Sequence, residues 1–530
     1  MSKLKILMLG CLASVAAAGA DVADSWDWSL PPGTRPAARS GISIGGKAPA
    51  NYPGKRLANV AWTWARIEPV EGRYDFDSLR EAILEASRHC DGVILYVRGS
   101  TWKTEILRNG KQVSEPGAAP EWLKTSYHVP TAPEARKTNL ATPFTVYNYE
   151  ISSPEFHRRY LKMVEALGES GIPQMRQVMF AYVHGVSASR GEEWTPVQLP
   201  PDAATMKERL RAWAQAFHGV EYKLAWVGNS GELLSYAYSL GMGQRTGFVE
   251  MYLMHCQNPQ LGQSLDANGY LVVDEKVPPI AENRAFGDEN EEYVPEVHVP
   301  RFGPVETWPH RYRESMLRAL EMRRNFLWAE PNAWVDPPLL NYVSLELGRN
   351  VKDTPDIWCY LRESHIMDQK QVRPVKNFER WLYQRDREGV RTVPAVKVEH
   401  PIDRIASGVP KDFKHDSIAR RPDPRGGNGR IGFAVDDRFL SGGPHNVTIK
   451  VTYHDCGTGE WALLYETPKG PAEQMVNLTN TGKVRTATFL IGDASFGARG
   501  LDFDFSIDGR GSAAAFSFVR VIKAARGRNQ

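Results

Sequence analysis

The 530-residue sequence is poor in cysteine: it has five, and no Cys-x-x-Cys pair. Cys90, Cys256, Cys359 and Cys456 stand far apart, so buried free thiols are expected rather than a disulfide framework or a zinc site. Beyond the first twenty positions, no run reaches the roughly 18 apolar residues that a membrane-spanning helix needs. Charge of one sign is also lacking: 65 Lys and Arg face 62 Asp and Glu, for a formal net charge of +3. That balance, without clustered basic residues, gives no nucleic-acid footprint. His-Glu-x-x-His is absent, and Gly-x-Ser-x-Gly is missed because Gly185-Val-Ser-Ala-Ser and Gly228-Asn-Ser-Gly-Glu both lack the closing glycine. Gly241-Met-Gly-Gln-Arg-Thr-Gly247 misspaces a dinucleotide loop, and a phosphate-binding P-loop is missing. No cofactor and no metal are expected.

What is present begins with Lys3 and Lys5, an apolar core from Ile6 to Ala18, and small residues ending at Ala20. This is the pattern of a secretory signal peptide over residues 1–20, cut before Asp21, and it predicts a secreted or periplasmic protein. Removing its two lysines would take the net charge from +3 to +1. The remainder has the composition of a globular protein, 42% hydrophobic and 24% charged, and is long enough for two domains.

Most of the chain alternates short apolar runs with helical patterns. Gly92–Arg98, Gln177–His184 and Tyr222–Val227 read as buried strands, and Phe156, Tyr160, Met163, Val164 and Leu167 mark an amphipathic helix. A further helix is predicted over 204–218, and Arg313–Trp328 is strongly helical. Residues 103–150 read as a long irregular excursion whose aromatic side chains suit a cleft wall. Asp21–Tyr52 is expected to wrap the surface. Later the period changes: Val447, Ile449, Val451 and Tyr453 alternate with polar residues, as do Leu501, Phe503, Phe505 and Ile507. Strict alternation in several short strands implies a β-sandwich. Only Trp461 of 15 tryptophans lies there, so aromatic surface for stacking on sugar rings belongs to the earlier part.

The most informative stretch is Asn59–Phe76, NVAWTWARIEPVEGRYDF. An apolar strand leads to Arg66 and Glu68, Pro69 and Gly72 turn the chain, and Leu79, Ala82, Ile83 and Ala86 begin a helix. The pattern Trp64-x-Arg66-x-Glu68-Pro69 followed by Gly72-x-Tyr74-Asp75-Phe76 resembles (β/α)8-barrel glycoside hydrolases, the large retaining group that includes β-galactosidases, β-agarases and carrageenases. The resemblance implies a TIM barrel over residues 21–398, finished by 332–395. A Pro- and Gly-rich linker over 399–429 and the β-sandwich over 430–530 would follow.

It also implies a chemistry. Retaining hydrolysis needs a carboxylic acid to protonate the leaving oxygen and a carboxylate nucleophile on the opposite face of the sugar. Barrels place such groups at the C-terminal ends of different strands. Glu192, in Gly191-Glu192-Glu193-Trp194, resembles the acid/base loop of relatives, with Glu193 as its alternate. Glu289, in Gly287-Asp288-Glu289-Asn290-Glu291-Glu292, is the expected nucleophile, with Glu291 and Glu292 as alternates. Arg66, Trp64, Arg98, Trp102, His184, Trp194, Asn229 and Tyr252 are the expected substrate-binding residues. The expected partner is a β-linked polysaccharide or oligosaccharide, best an algal galactan of the carrageenan or agar type. Two other readings stay open. In a polysaccharide lyase, Tyr182, His184 and Arg98 would take over the chemistry; a non-catalytic carbohydrate-binding protein would cut nothing.

Overall fold

A computed structural model of the chain describes residues 20–44, 48, 51–108, 111–137, 143–183, 202–227, 231–246, 259–290, 308–329, 336–368, 371–399, 411–425, 427, 429–497 and 503–524. Eight parallel strands close into a barrel: β1 Gly41–Ile44, β2 Arg56–Thr63, β3 Gly92–Arg98, β4 Val178–Val183, β5 Leu224–Trp226, β6 Gly243–Arg245, β7 Phe286–Asn290 and β8 Phe326–Ala329. Closure is made by β8 against β1, where Phe326 pairs with Gly41 and Ala329 with Ile44. The TIM-barrel expectation therefore holds. The stretch at 59–76 forms most of the second strand and the turn that leads into the next helix. The first strand, Gly-Ile-Ser-Ile, is only four residues long and too short for periodicity to reveal.

Helices cover the outside wherever the sequence carries an apolar stripe. Helix α1, Phe76–Ala86, starts where the Asp75 carboxylate accepts from the Ser78 amide, and it buries Leu79 and Ile83. Helix α2, Pro154–Glu169, buries the predicted Phe156, Tyr160, Met163, Val164 and Leu167 face. It meets α3, Ala203–Ala216, so closely that a Cβ at Gly168 would lie 2.7 Å from Ala216 Cα. Three further helices are α4 Gly231–Ser239, α5 Trp308–Glu321 and α6 Pro337–Glu346. Helix α5 thus stops at Glu321, and the tail of the predicted 313–328 helix is strand β8. No helix among the described residues is long and apolar enough to cross a membrane.

The excursion at 103–150 is not irregular. Thr101–Arg108, Lys111–Pro116, Thr131–Lys137 and Pro143–Tyr149 form a four-stranded antiparallel sheet inserted after β3. Lys111–Pro116 and Thr131–Lys137 were hidden because they carry few apolar residues for a period to show.

The C-terminal part is a sandwich of antiparallel strands around Val447, Ile449, Val451, Trp461, Phe489 and Phe505. It begins earlier than expected. Asp356–Asp368, Gln371–Arg380, Leu382–Gln384 and Thr392–Glu399, assigned to the barrel by sequence, join this sheet, and so does His415–Pro422 from the expected linker. The cause is burial on both faces. Ile357, Cys359 and Leu361 enter the sandwich core, while Trp358 and Tyr360 pack on the α5 and α6 layer with Tyr312, Met316 and Leu340. A strand buried on both sides reads as a continuous apolar run, which is also the signature of a parallel barrel strand. Asp21–Ala23 likewise pairs with Thr486–Thr488 of the sandwich instead of wrapping the barrel. Among the cysteines, Cys359 is buried, Cys90 half-buried and Cys456 exposed, all as free thiols.

Buried ion pairs close the inner edge of the sandwich and tie it to the barrel's helix layer. Arg520 Nε donates to Asp356 Oδ2 at 2.7 Å, and its two terminal nitrogens donate to the carbonyls of Asp27 and Ser29. Arg380 binds Glu346 of α6 at 2.7 Å, both fully buried. Removing one partner strands the other charge in a low-dielectric interior. Arg520→Met is predicted to lower the free energy of unfolding by about 3–5 kcal/mol in urea titration. An unchanged midpoint would show that the buried Arg520–Asp356 pair does not stabilise the sandwich edge that faces the helix layer.

Candidate active site

The barrel interior is filled from below by Leu57, Ile94, Phe180, Ala225 and Phe326. Above them, toward the C-terminal ends of the strands, three rings meet: Tyr96 of β3, Tyr182 of β4 and Trp328 of β8. Tyr96 lies 5.7 Å from Tyr182 and 6.1 Å from Trp328, both edge-on, and Tyr182 lies 6.2 Å from Trp328. Two guanidinium groups flank the rings, Arg98 at 5.5 Å from Tyr96 and Arg245 at 5.2 Å from Tyr182. Arg98 is exposed and Arg245 is buried. On β2 the interior-facing Asn59 and Ala61 are exposed, so the mouth descends along that strand.

Strand β7 supplies the expected nucleophile position. Gly287 must be glycine, since a Cβ there would lie 2.3 Å from the Phe326 ring inside the barrel. Ala285 belongs to the same interior cluster. Because strand side chains alternate, positions 285, 287 and 289 share the interior row, and Glu289 pairs in register with Trp328. Asp288 takes the outer face. It is buried and accepts from Arg324 Nε at 2.6 Å, while Arg324 also donates to Thr246 and lies over the Phe286 ring at 3.7 Å. Burial pushes the Asp288 carboxyl up to about 6 against the pull of Arg324. Within this acidic segment Asp288 is therefore an anchor between β7 and the helix layer. The same anchor aids the short β7: the Asn325 side chain accepts from the Phe286 amide and donates to the Arg284 carbonyl.

The motif that carries the family resemblance does structural work. Glu68 is 3% exposed; its carboxylate accepts from Trp64 Nε1 at 2.7 Å and from the Gly72 amide at 2.8 Å. Burial raises the Glu68 pKa despite these bonds. The Glu68 carbonyl accepts from Trp122 Nε1, and Thr63 caps the short helix Trp64–Ile67 by accepting from the Arg66 amide. Trp64 is fully buried among Trp122, Phe156 and Tyr160, so it offers no face to a sugar. Its assignment as a substrate-binding residue is corrected: aromatic side chains near strand ends serve packing as readily as stacking. Arg66 is exposed and covers the ring of Trp62 at 3.5 Å; Trp62 belongs to the helix-side core, not to the interior rings.

The other expected residues divide as follows. Arg98 stands at the mouth, as above. Trp102 is half-buried in the inserted sheet, edge-on to Tyr147 at 6.1 Å, beside a register shift between Thr101 and Lys103. Glu192, Glu193, Trp194, His184, Asn229, Tyr252, Glu291 and Glu292 lie outside the described residues. In chain order Glu192 and Glu193 fall between β4 and α3, three strands before Glu289. Tyr96, Arg245 and Trp328 were missed in the sequence. Phe326–Ala329 was read as helix, which hid Trp328, and Gly243–Arg245 is only three residues long.

A family model described as β-galactosidase, glycoside hydrolase family 42, matches residues 54–171, which run from β2 through the inserted sheet to the end of α2. No curated protein matches the chain. Among solved structures, a glucosidase from Croceicoccus marinus is similar at 9% identity and a TM-score of 0.28, covering 96% of this chain and 99% of its own. That superposition is too loose to carry an argument. The family match on a closed eight-stranded parallel barrel supports a (β/α)8 glycoside hydrolase.

The geometry separates scaffold from chemistry. Glu68→Gln keeps one accepting oxygen and puts an amide NH2 against the other of the two N–H donors, and is predicted to destabilise the fold by about 1–3 kcal/mol. The kcat of the folded fraction should stay at the wild-type value. A large loss of kcat at unchanged stability would move Glu68 into the reaction.

Proposed function

We propose that this glycoside hydrolase is a secreted, retaining enzyme acting on β-linked polysaccharide or oligosaccharide. Glu289 is the nucleophile and Glu192, with Glu193 as alternate, the acid/base. The observation that carries the reading is the position of Glu289: interior row of β7, C-terminal end, in register with the half-exposed Trp328. A sugar stacked on Trp328 would present its anomeric carbon to a carboxylate from β7. The acid/base would reach the leaving oxygen from the loop after β4, across the mouth. Retention requires the two carboxyl groups to stand about 5–5.5 Å apart, so that the first attacks directly without an intervening water. Arg98 at the rim suits a substrate bearing sulfate or carboxylate, because its planar fork binds such groups through two hydrogen bonds. Within that class we favour an algal galactan of the carrageenan or agar type. Secretion rests on the two lysines, the apolar run and the small residues that end at Ala20.

The test is incubation of the mature protein with agar, carrageenans, porphyran, plant galactan and a uronate polymer, following new reducing ends and the first anomer by NMR. Cleavage with retained configuration is expected. Products with a new double bond would mean lyase chemistry, and binding without cleavage a non-catalytic protein. Of Glu192→Gln and Glu193→Gln, one should lower kcat about 10²–10⁴-fold, the contribution of a positioned general acid. Full activity in both variants would remove that assignment.

A further inference from the structure

The interior holds a second arginine that the reaction as described does not use. Arg245 ends β6 with its side chain 1% exposed. Its neighbour Gln244 faces the helix layer, where it accepts from the Tyr238 hydroxyl of α4 at 3.3 Å. Arg245 therefore takes the interior face, beside Tyr182. Across the strand boundary it pairs in register with Gly287. Position 289 lies two residues further along the same interior row, roughly 6.6 Å on at the rise of a parallel strand, within an arginine's reach.

We propose that Arg245 is a positioning residue for Glu289, orienting its carboxylate and keeping it ionised. This rests on the reading of Glu289 as nucleophile. The other titratable or charged groups on the interior face among the described residues are Tyr96 and Arg98 of β3 and Tyr182 of β4. Asp288 and Arg324 pair on the outer side. The charge of Arg245 already acts on β7, for it helps pull the Asp288 carboxyl down. Arginine suits the task because it does not lose its proton, even when buried. The consequence is asymmetry. A retaining enzyme needs one glutamate ionised and the other protonated at the same pH, and a buried cation beside one of them moves the two apart.

The test is kcat and kcat/KM against pH for the wild type, Arg245→Met and Arg245→Lys, on whichever polymer is cleaved. In Arg245→Met the acid limb of kcat/KM should move up by at least about one pH unit, since the removed cation held the carboxylate pKa down. The alkaline limb, set by the acid/base, should stay. Arg245→Lys keeps the charge but loses the fork, so its acid limb should stay near wild type while kcat falls and KM holds. A folded Arg245→Met with an unmoved acid limb overturns the proposal. If that variant does not fold, Arg245→Lys with wild-type kcat overturns it instead. Failure of the underlying reading looks different: Glu289→Gly would then not be rescued by azide. Rescue by azide, with an inverted glycosyl azide as product, combined with an unmoved Arg245→Met limb, would reject Arg245 alone.

Discussion

The architecture depends on one strand being buried on both sides. Asp356–Leu361 contributes Ile357, Cys359 and Leu361 to the sandwich core and Trp358 and Tyr360 to the helix layer of the barrel. Neither face meets water, so neither half offers a finished surface alone. The charged groups around it are held in the same way. Asp356 is satisfied by Arg520 from the last sandwich strand and by the Tyr342 hydroxyl from α6, and Arg380 closes on Glu346. Buried pairs of this kind add little net stability over apolar packing, but losing one partner is costly, so they fix which surfaces meet. The sandwich thus packs on the side of the barrel where β8 meets β1, and its tryptophans Trp358, Trp381 and Trp461 are all buried rather than offered to solvent.

Inside the barrel the governing constraint is alternation along β7. Gly287 lets Phe326 close the floor, Asp288 is held outside by Arg324, and position 289 follows on the interior row. Each step limits the next. If Asp288 lost its anchor, the strand would lose its hold on the loop before β8, and the register with Trp328 would loosen. The anchor and the proposed nucleophile are adjacent in sequence, so the alternation of the strand sends their positions to opposite faces of β7.

Much of the barrel was legible because its longer strands are apolar runs and its helices carry clear stripes: Gly92–Arg98, Val178–Val183, α2 and α3 all appear where periodicity places them. What escaped has physical causes. Strands of three or four residues, such as β1 and β6, hold too few positions for a period to show. Strand β8 follows α5 after a short turn and was absorbed into the helix, and Trp328 went with it. The doubly buried strand at 356–361 mimicked a barrel strand. At the site, the acidic segment at 287–292 was visible, but only the strand's alternation tells Asp288 from Glu289. The Trp-x-Arg-x-Glu-Pro motif identified the scaffold correctly while its residues proved to be a loop clamp. Motif residues are as often kept for a turn's hydrogen bonds as for chemistry.

The most direct test of the account is to trap the covalent intermediate with an activated, slowly hydrolysed glycoside of the sugar released, and to map the labelled peptide by mass spectrometry. The account predicts a single glycosyl adduct on Glu289. A label on Glu291, Glu292 or any residue outside β7, or hydrolysis that inverts the anomer without a trappable adduct, would contradict it.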